Sequence, residues 1–150
     1  MTPYEKVFKV FLHKIKDPFF VDFDHEFATQ ELVHLLNEAV FTFDYPKIDL
    51  RDKDDGLRQF NNTITYDEIY ILAESMALFW AEGMLRDVDS LAYDMTPEEM
   101  RTTSKANHIK ALIEFEKRLR ANLRIRKINY NKKENNKPLF NALGGEGEWS

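Results

Sequence analysis

The chain contains no cysteine, so it can build neither a disulfide framework nor a thiolate metal site. That fits a reducing interior. Glycine and proline are scarce, five of each in 150 residues, which disfavours a turn-rich β fold. No apolar run approaches the roughly 20 residues that span a bilayer, so no membrane partner is expected. The opening residues "MTPYEKVFKVFLHKIK" alternate charge with apolar side chains and lack the apolar centre of a signal peptide. There is no G-x-S-x-G elbow and no phosphate-binding glycine loop. The four histidines, His13, His25, His34 and His108, show no zinc spacing. No reaction class has its constellation in place, and the expectation is a non-enzymatic protein without cofactor or metal.

What the chain does have is segregated charge. Residues 1–100 hold 9 Lys and Arg against 21 Asp and Glu, a net of −12 within a whole-chain charge of −5. Residues 101–133 hold 11 basic and 2 acidic groups, a net of +9. An acidic body with a basic helix suits stacking on copies of itself, and the basic part alone suits nucleic acid. The face concerned is Lys117, Arg118, Arg120, Arg124, Arg126 and Lys127, with Leu119 and Leu123 between them. Phosphate contacts there would be salt-sensitive and blind to sequence. Charge logic favours a protein neighbour over DNA, because an acidic partner is already present in every other copy.

Helical periodicity dominates the rest. "TPYE" reads as a helix start, with Thr2 as cap, Pro3 in the first position and Glu5 completing a capping box. Tyr4, Val7, Phe8, Phe11, Leu12 and Ile15 follow at helical spacing, and Pro18 ends the element. "DPFFVDFDHEFAT" reads as irregular; its "DFDHE" looks like ligand chemistry, yet a polar loop plugged by Phe23 and Phe27 is the favoured reading. Thr29 is the expected cap of a second helix, striped by Leu32, Leu36, Ala39, Val40 and Phe43 and closed by Pro46. Thr65 and Glu68 form a second capping box, with Ile64 and Ile69 placed as a hydrophobic staple. The helix they open is apolar on most sides and is expected to be central. "DSLAYDM" reads as a loop, and Thr96, Pro97 and Glu99 start a fourth helix ending near residue 127. The fold expected is all-α, a bundle of about four helices with an extended C-terminal arm: residues 1–130 as the helical domain, 131–150 as a flexible arm.

"DLRDKDDGLRQFNNTIT", residues 49–65, concentrates four aspartates, a glycine and two asparagines. Placing Gly56 sixth, as in a calcium-binding EF-hand loop, puts Arg51 first, Lys53 third and Asn62 last, where carboxylates belong. The better reading is a structural elbow. Asp52, Asp54 and Asp55 fold the turn and pair with Arg51 or Arg58, while Phe60 and Ile64 anchor it to the core. In the arm, Leu139, Phe140, Leu143 and Trp149 are too few to fold alone, but they can fill pockets on a partner.

Three segments together resemble a family. "KIDLRDKDDGLRQFNNTITYDEIYILAESMALFWAE" resembles a motif of small structural proteins from tailed phages and prophages of Gram-positive bacteria. There an aspartate-rich "DL-DRDD-L--FN" precedes a helix beginning "L--EEIEILA--M---W". "TPYEKVFKVFLHKI" resembles the start of the same family, and "SKANHIKALIEFEKRLR" its "S-ANHLKEL--LR" segment. The resemblance covers residues 2–130 or so; Tyr66 and Tyr70 stand where relatives often carry charge, and the arm after Tyr130 is longer. It implies a head–tail connector (neck or adaptor) protein: a ring of about twelve copies beneath the portal that extends the DNA channel. Its implied partners are the portal protein, other neck or tail-completion proteins and further copies of itself, with non-specific contact to packaged DNA. Its implied place is the head–tail junction of the virion, after assembly in the host cytoplasm. The alternative reading is a small helical nucleic-acid-binding or regulatory phage protein.

Overall fold

The computed structural model describes residues 1–15, 25–92, 98 and 104–142; for residues 25, 88–92, 104–105 and 134–142 it describes the backbone alone. Among the described residues the chain is all-α, a bundle of four helices whose last one continues into the C-terminal arm. In order these are α1 (Glu5–Ile15), α2 (His25–Phe41), α3 (Tyr66–Ala92) and α4 (Ser104–Ala142). Three two-residue strands, β1 (Thr2–Pro3), β2 (Lys53–Asp54) and β3 (Gln59–Phe60), form a small antiparallel sheet in the order β1-β3-β2.

The core follows from the apolar spacing. Tyr4, Val7, Phe8 and Phe11 bury one face of the first segment, and Leu32, Leu35, Leu36, Ala39 and Val40 do the same for α2. Every residue from Ile71 to Leu78 is buried, so α3 is the central helix and packs against α1, α2 and α4. Its buried Ser75 satisfies itself by donating to the Ile71 carbonyl at 2.8 Å. On α4 the buried residues are Leu112, Leu119, Leu123 and Tyr130, in steps of seven, four and seven. That is a coiled-coil seam: narrow, and leaving most of the helix in water.

Several local expectations give way to longer-range partners. Thr2 does not cap α1. It sits in β1 opposite Phe60, its hydroxyl donating to the Asn62 carbonyl at 3.2 Å and accepting from the Ile64 amide at 3.0 Å. Tyr4 takes over the start of α1, its carbonyl receiving the amides of Val7 and Phe8. Thr29 lies buried inside α2, which already starts at His25. "DSLA" continues α3 to Ala92 rather than opening a loop. The fourth helix runs past residue 127 to Ala142, so residues 131–142 of the arm extend it without a break at Tyr130. Lys132, Lys133 and Glu134 are adequate helix formers even without an apolar stripe. The proposed start at Thr96 and Pro97, and most of "DFDHE", lie outside the described residues.

Candidate functional site

The 49–65 stretch is a clamp made from short side chains. β2 and β3 pair with Lys53 opposite Phe60 and Asp54 opposite Gln59, leaving a four-residue loop, 55–58. Each aspartate has a defined task. Asp49 Oδ1 accepts from the Arg51 amide at 2.9 Å, and Asp54 Oδ1 accepts from the Leu57 amide at 2.9 Å. Asp52 accepts from the Asn61 side chain at 2.7 Å, and its carbonyl from the Asn61 amide at 3.0 Å. Asp55 is the hub: it accepts from Tyr4 Oη at 2.6 Å, Lys53 Nζ at 2.7 Å and Asn37 Nδ2 at 3.3 Å. Its counter-ion is thus Lys53; neither Arg51 nor Arg58, the partners expected from sequence, forms an ion pair among the described residues. Arg58 contributes backbone instead, with φ of 53° and a carbonyl that accepts from the Tyr4 amide at 2.9 Å.

The electrostatics agree with this geometry. The hydrogen bond from Lys53, followed by that from Tyr4, holds the Asp55 carboxyl below its ordinary range. Burial, then the same bond to Asp55, pushes the Tyr4 phenol above its ordinary range. Phe60 is fully buried behind the hub, its ring 5.0 Å from Tyr4 in an edge-on contact. Ile64 and Ile69 are both buried where the clamp enters α3. Glu68 reaches back to the Thr65 amide at 2.8 Å and also receives the Thr65 hydroxyl. These carboxylates are committed to holding chain segments together. Among the described residues, no three His, Asp or Glu side chains gather as a metal set.

A second feature joins α3 to α4. Arg120 pairs with Glu82 at 3.1 Å and with Glu116 one turn back on its own helix. The bond to Glu116 raises the Arg120 pKa. Arg126 Nε and Lys14 Nζ both reach Glu74 Oε1, at 2.9 and 3.0 Å. Lys133 meets Asp67 at 2.9 Å. Between them Tyr130 is buried against Phe43, donates to Glu68 Oε1 at 3.0 Å and accepts from the Lys47 amide at 2.8 Å. Glu68 and Glu74 are each only 1% exposed. The acidic neighbour of the basic helix is therefore, in part, this chain's own α3.

That pairing divides the six basic residues. Arg120 and Arg126 are engaged inside the chain. Lys127 is half-buried, and Lys117 makes only a 4.0 Å approach to Glu114. Arg118 and Arg124 are exposed and form no ion pair among the described residues. Beside them Ile125 and Ile128 are 57% and 43% exposed, so the outward face of α4 is basic and apolar together. Of the arm anchors, Leu139 and Phe140 fall on the helical backbone of α4, while Leu143 and Trp149 lie outside the described residues.

A groove of about 420 Å³ runs between α2 and α3. Phe79, Trp80 and Met84 line it, half-buried, with Leu35 from α2. Glu31 and Glu38 on one rim and Asp87 on the other make its edge acidic, and among the described residues Arg86 is the one Lys or Arg that lines it. The apolar surface of Trp80 and Met84 is thus shared between the bundle and this open groove. No described helix is long and apolar enough to cross a membrane. No protein-family model matches the chain, and neither a curated protein nor a solved structure matches it.

Proposed function

We propose that this chain is a structural virion protein of a tailed phage, a non-enzymatic head–tail connector that binds the portal and extends the DNA channel toward the tail. The reading rests on the three motif segments and on what their residues do. Asp52, Asp55, Phe60 and Glu68, at positions that the longest motif segment specifies, belong to one clamp that fixes the N-terminal strand to the start of α3. Shared residues spent on a rigid scaffold, and not on a reaction centre, are what a family of building blocks requires. That use of the motif is the observation that carries the reading. The outward basic and apolar face of α4 adds a surface for other polypeptides. In this reading the partners are the portal, further neck or tail-completion proteins and other copies of the chain in a closed ring of about twelve. The site of action is the head–tail junction, where basic side chains meet DNA backbone without reading its sequence.

The test mixes the purified chain with portal rings and follows complex formation by size-exclusion chromatography and electron microscopy. Stoichiometric ring-shaped complexes, with weak affinity for free duplex DNA, are expected. Tight, steeply salt-dependent binding of free DNA without portal binding would establish the nucleic-acid alternative in its place. Deleting residues 136–150 is expected to weaken portal affinity through loss of the Leu139, Phe140, Leu143 and Trp149 anchors, and equal affinity would discard that role.

A further inference from the structure

We propose that the outward face of α4 from one copy docks into the acidic-rimmed groove between α2 and α3 of a second copy. This rests on the assembly reading above and names the two surfaces that would join. They differ from each other, so the contact is heterologous, the kind that generates rings when the rotation closes.

The two surfaces complement each other in charge and in polarity. The groove offers Trp80, Phe79 and Met84 as floor and Glu31, Glu38 and Asp87 as rim. The face offers Ile125 and Ile128 flanked by Arg118 and Arg124, all exposed. Amphipathic helices lie in apolar grooves in this way, with apolar anchors inward and charged residues meeting the rim. A purely solvated face has no use for two exposed isoleucines one turn apart, and phosphate contacts would leave them in water.

Other occupants fit less well. A chain's own α4 cannot fill its own groove, because Leu112, Leu119, Leu123 and Tyr130 already turn its opposite side toward the bundle. The sequences of residues 16–24, 93–103 and 143–150 each carry more acidic than basic side chains, which mismatches an acidic rim. Nucleic acid is repelled by the same rim. The +9 stretch at residues 101–133 is the strongly basic part of the chain, and α4 carries most of it. At 39 residues this helix is about 58 Å long, enough to reach an adjacent subunit.

Two charge-reversed variants test the contact. Glu38→Lys with Asp87→Lys reverses the groove, and Arg118→Glu with Arg124→Glu reverses the helix face; all four positions are exposed, and circular dichroism checks that both variants fold. Sedimentation velocity of the full chain at low salt reads the association. The unaltered chain is expected to self-associate with rising concentration. Each variant alone is expected to associate roughly a hundredfold more weakly. An equimolar mixture of the two is expected to assemble again, because every groove then finds a helix of opposite charge. Variants that assemble as well as the parent, or a mixture that does not recover, would overturn the docking while leaving portal binding as a separate result. A parent chain that stays monomeric at millimolar concentration also overturns it; if that chain still binds the portal, the connector reading survives without this interface.

Discussion

The hydroxyl of Tyr4 donates to Asp55 across 51 residues of sequence, at 2.6 Å. That one bond ties the start of α1 to the loop of the aspartate-rich hairpin, and it ties the two titrations together. Tyr4 has a raised pKa, so folding favours the neutral phenol. Its stabilising contribution is complete below its ordinary value of 10.0 and is lost as pH rises above that toward the folded value. Asp55 has a lowered pKa, so its contribution is present above its ordinary value of 3.8 and is lost as pH falls through the lower folded value. Tyr4→Phe is therefore expected to flatten the fall in melting temperature as pH rises above about 10. It should leave the acid limb largely in place, because Lys53 still holds Asp55. An unchanged alkaline limb would show that Tyr4 does not link the hairpin to stability.

Behind that bond lies Phe60, fully buried and central to the three-stranded sheet. Phe60→Ala removes a large apolar side chain from a site closed by β1, β2 and Tyr4, which can collapse only in part. A loss of about 3–5 kcal/mol in urea unfolding is expected. A loss below about 1 kcal/mol, the range of exposed positions, would mean that the hairpin is not anchored to the core.

How legible this was in the sequence depended on distance along the chain. The capping box of Thr65 and Glu68 and the buried pair Ile64 and Ile69 could be read directly, because their partners lie within five residues. The central place of α3 was legible from its nearly continuous apolar surface. Thr2 was misread because "TPYE" is a sound helix start locally, while the bonds that decide its state come from Asn62 and Ile64. Tyr130 was missed for the same reason: its partners Glu68, Phe43 and Lys47 are all more than 60 residues away. The basic helix was recognised as a surface for acidic groups, but sequence could not divide Arg120 and Arg126, paired within the chain, from the outward Arg118 and Arg124. That division follows from the rotation of α4 against α3, which the seam of Leu112, Leu119, Leu123 and Tyr130 sets.

Glu74 makes the rotation checkable. One of its oxygens receives both Lys14 and Arg126, linking α1, α3 and α4, while Oε2 is buried with no hydrogen-bond partner among the described residues. Removing the carboxylate leaves two cations facing each other. Both retain some access to water, so the cost is moderated, and Glu74→Gln is expected to lose about 1–3 kcal/mol. Replacing all three together, Glu74→Leu with Lys14→Met and Arg126→Leu, is expected to recover most of that loss, since apolar packing substitutes well for a buried ion cluster. A triple variant weaker than the single one would show that the ions do more than neutralise each other.

Tyr130 is the corresponding pin further along α4. Tyr130→Phe keeps the edge contact with Phe43, whose ring is 5.6 Å away, and removes the hydroxyl that joins Glu68 to the Lys47 amide. The buried Glu68 carboxylate and the Lys47 amide then lose their shared partner, and a loss of about 1–3 kcal/mol is expected. Hydrogen exchange at the Lys47 amide should quicken in the same variant. Faster exchange confined to other parts of the chain would separate the destabilisation from this bond.

The loop 55–58 contains a glycine, yet the left-handed position belongs to Arg58, with φ of 53°, and not to Gly56. An L-residue in that region costs about 1–2 kcal/mol. Arg58 is exposed and forms no ion pair among the described residues, so Arg58→Gly gives up little contact. Against the gain stands the added freedom of the unfolded chain, about 0.5–1 kcal/mol. A net stabilisation of about 0.5–1 kcal/mol is expected, and Arg58→Asn should fall between parent and glycine. Gly56→Ala tests the complementary point: a Cβ there would stand 3.2 Å from Asp54 Oδ1, which an exposed carboxylate can relieve by a small shift. A small effect at Gly56 and a gain at Arg58 would place the strain of the hairpin at the residue whose carbonyl receives Tyr4. The reverse pattern would show that the turn is built differently.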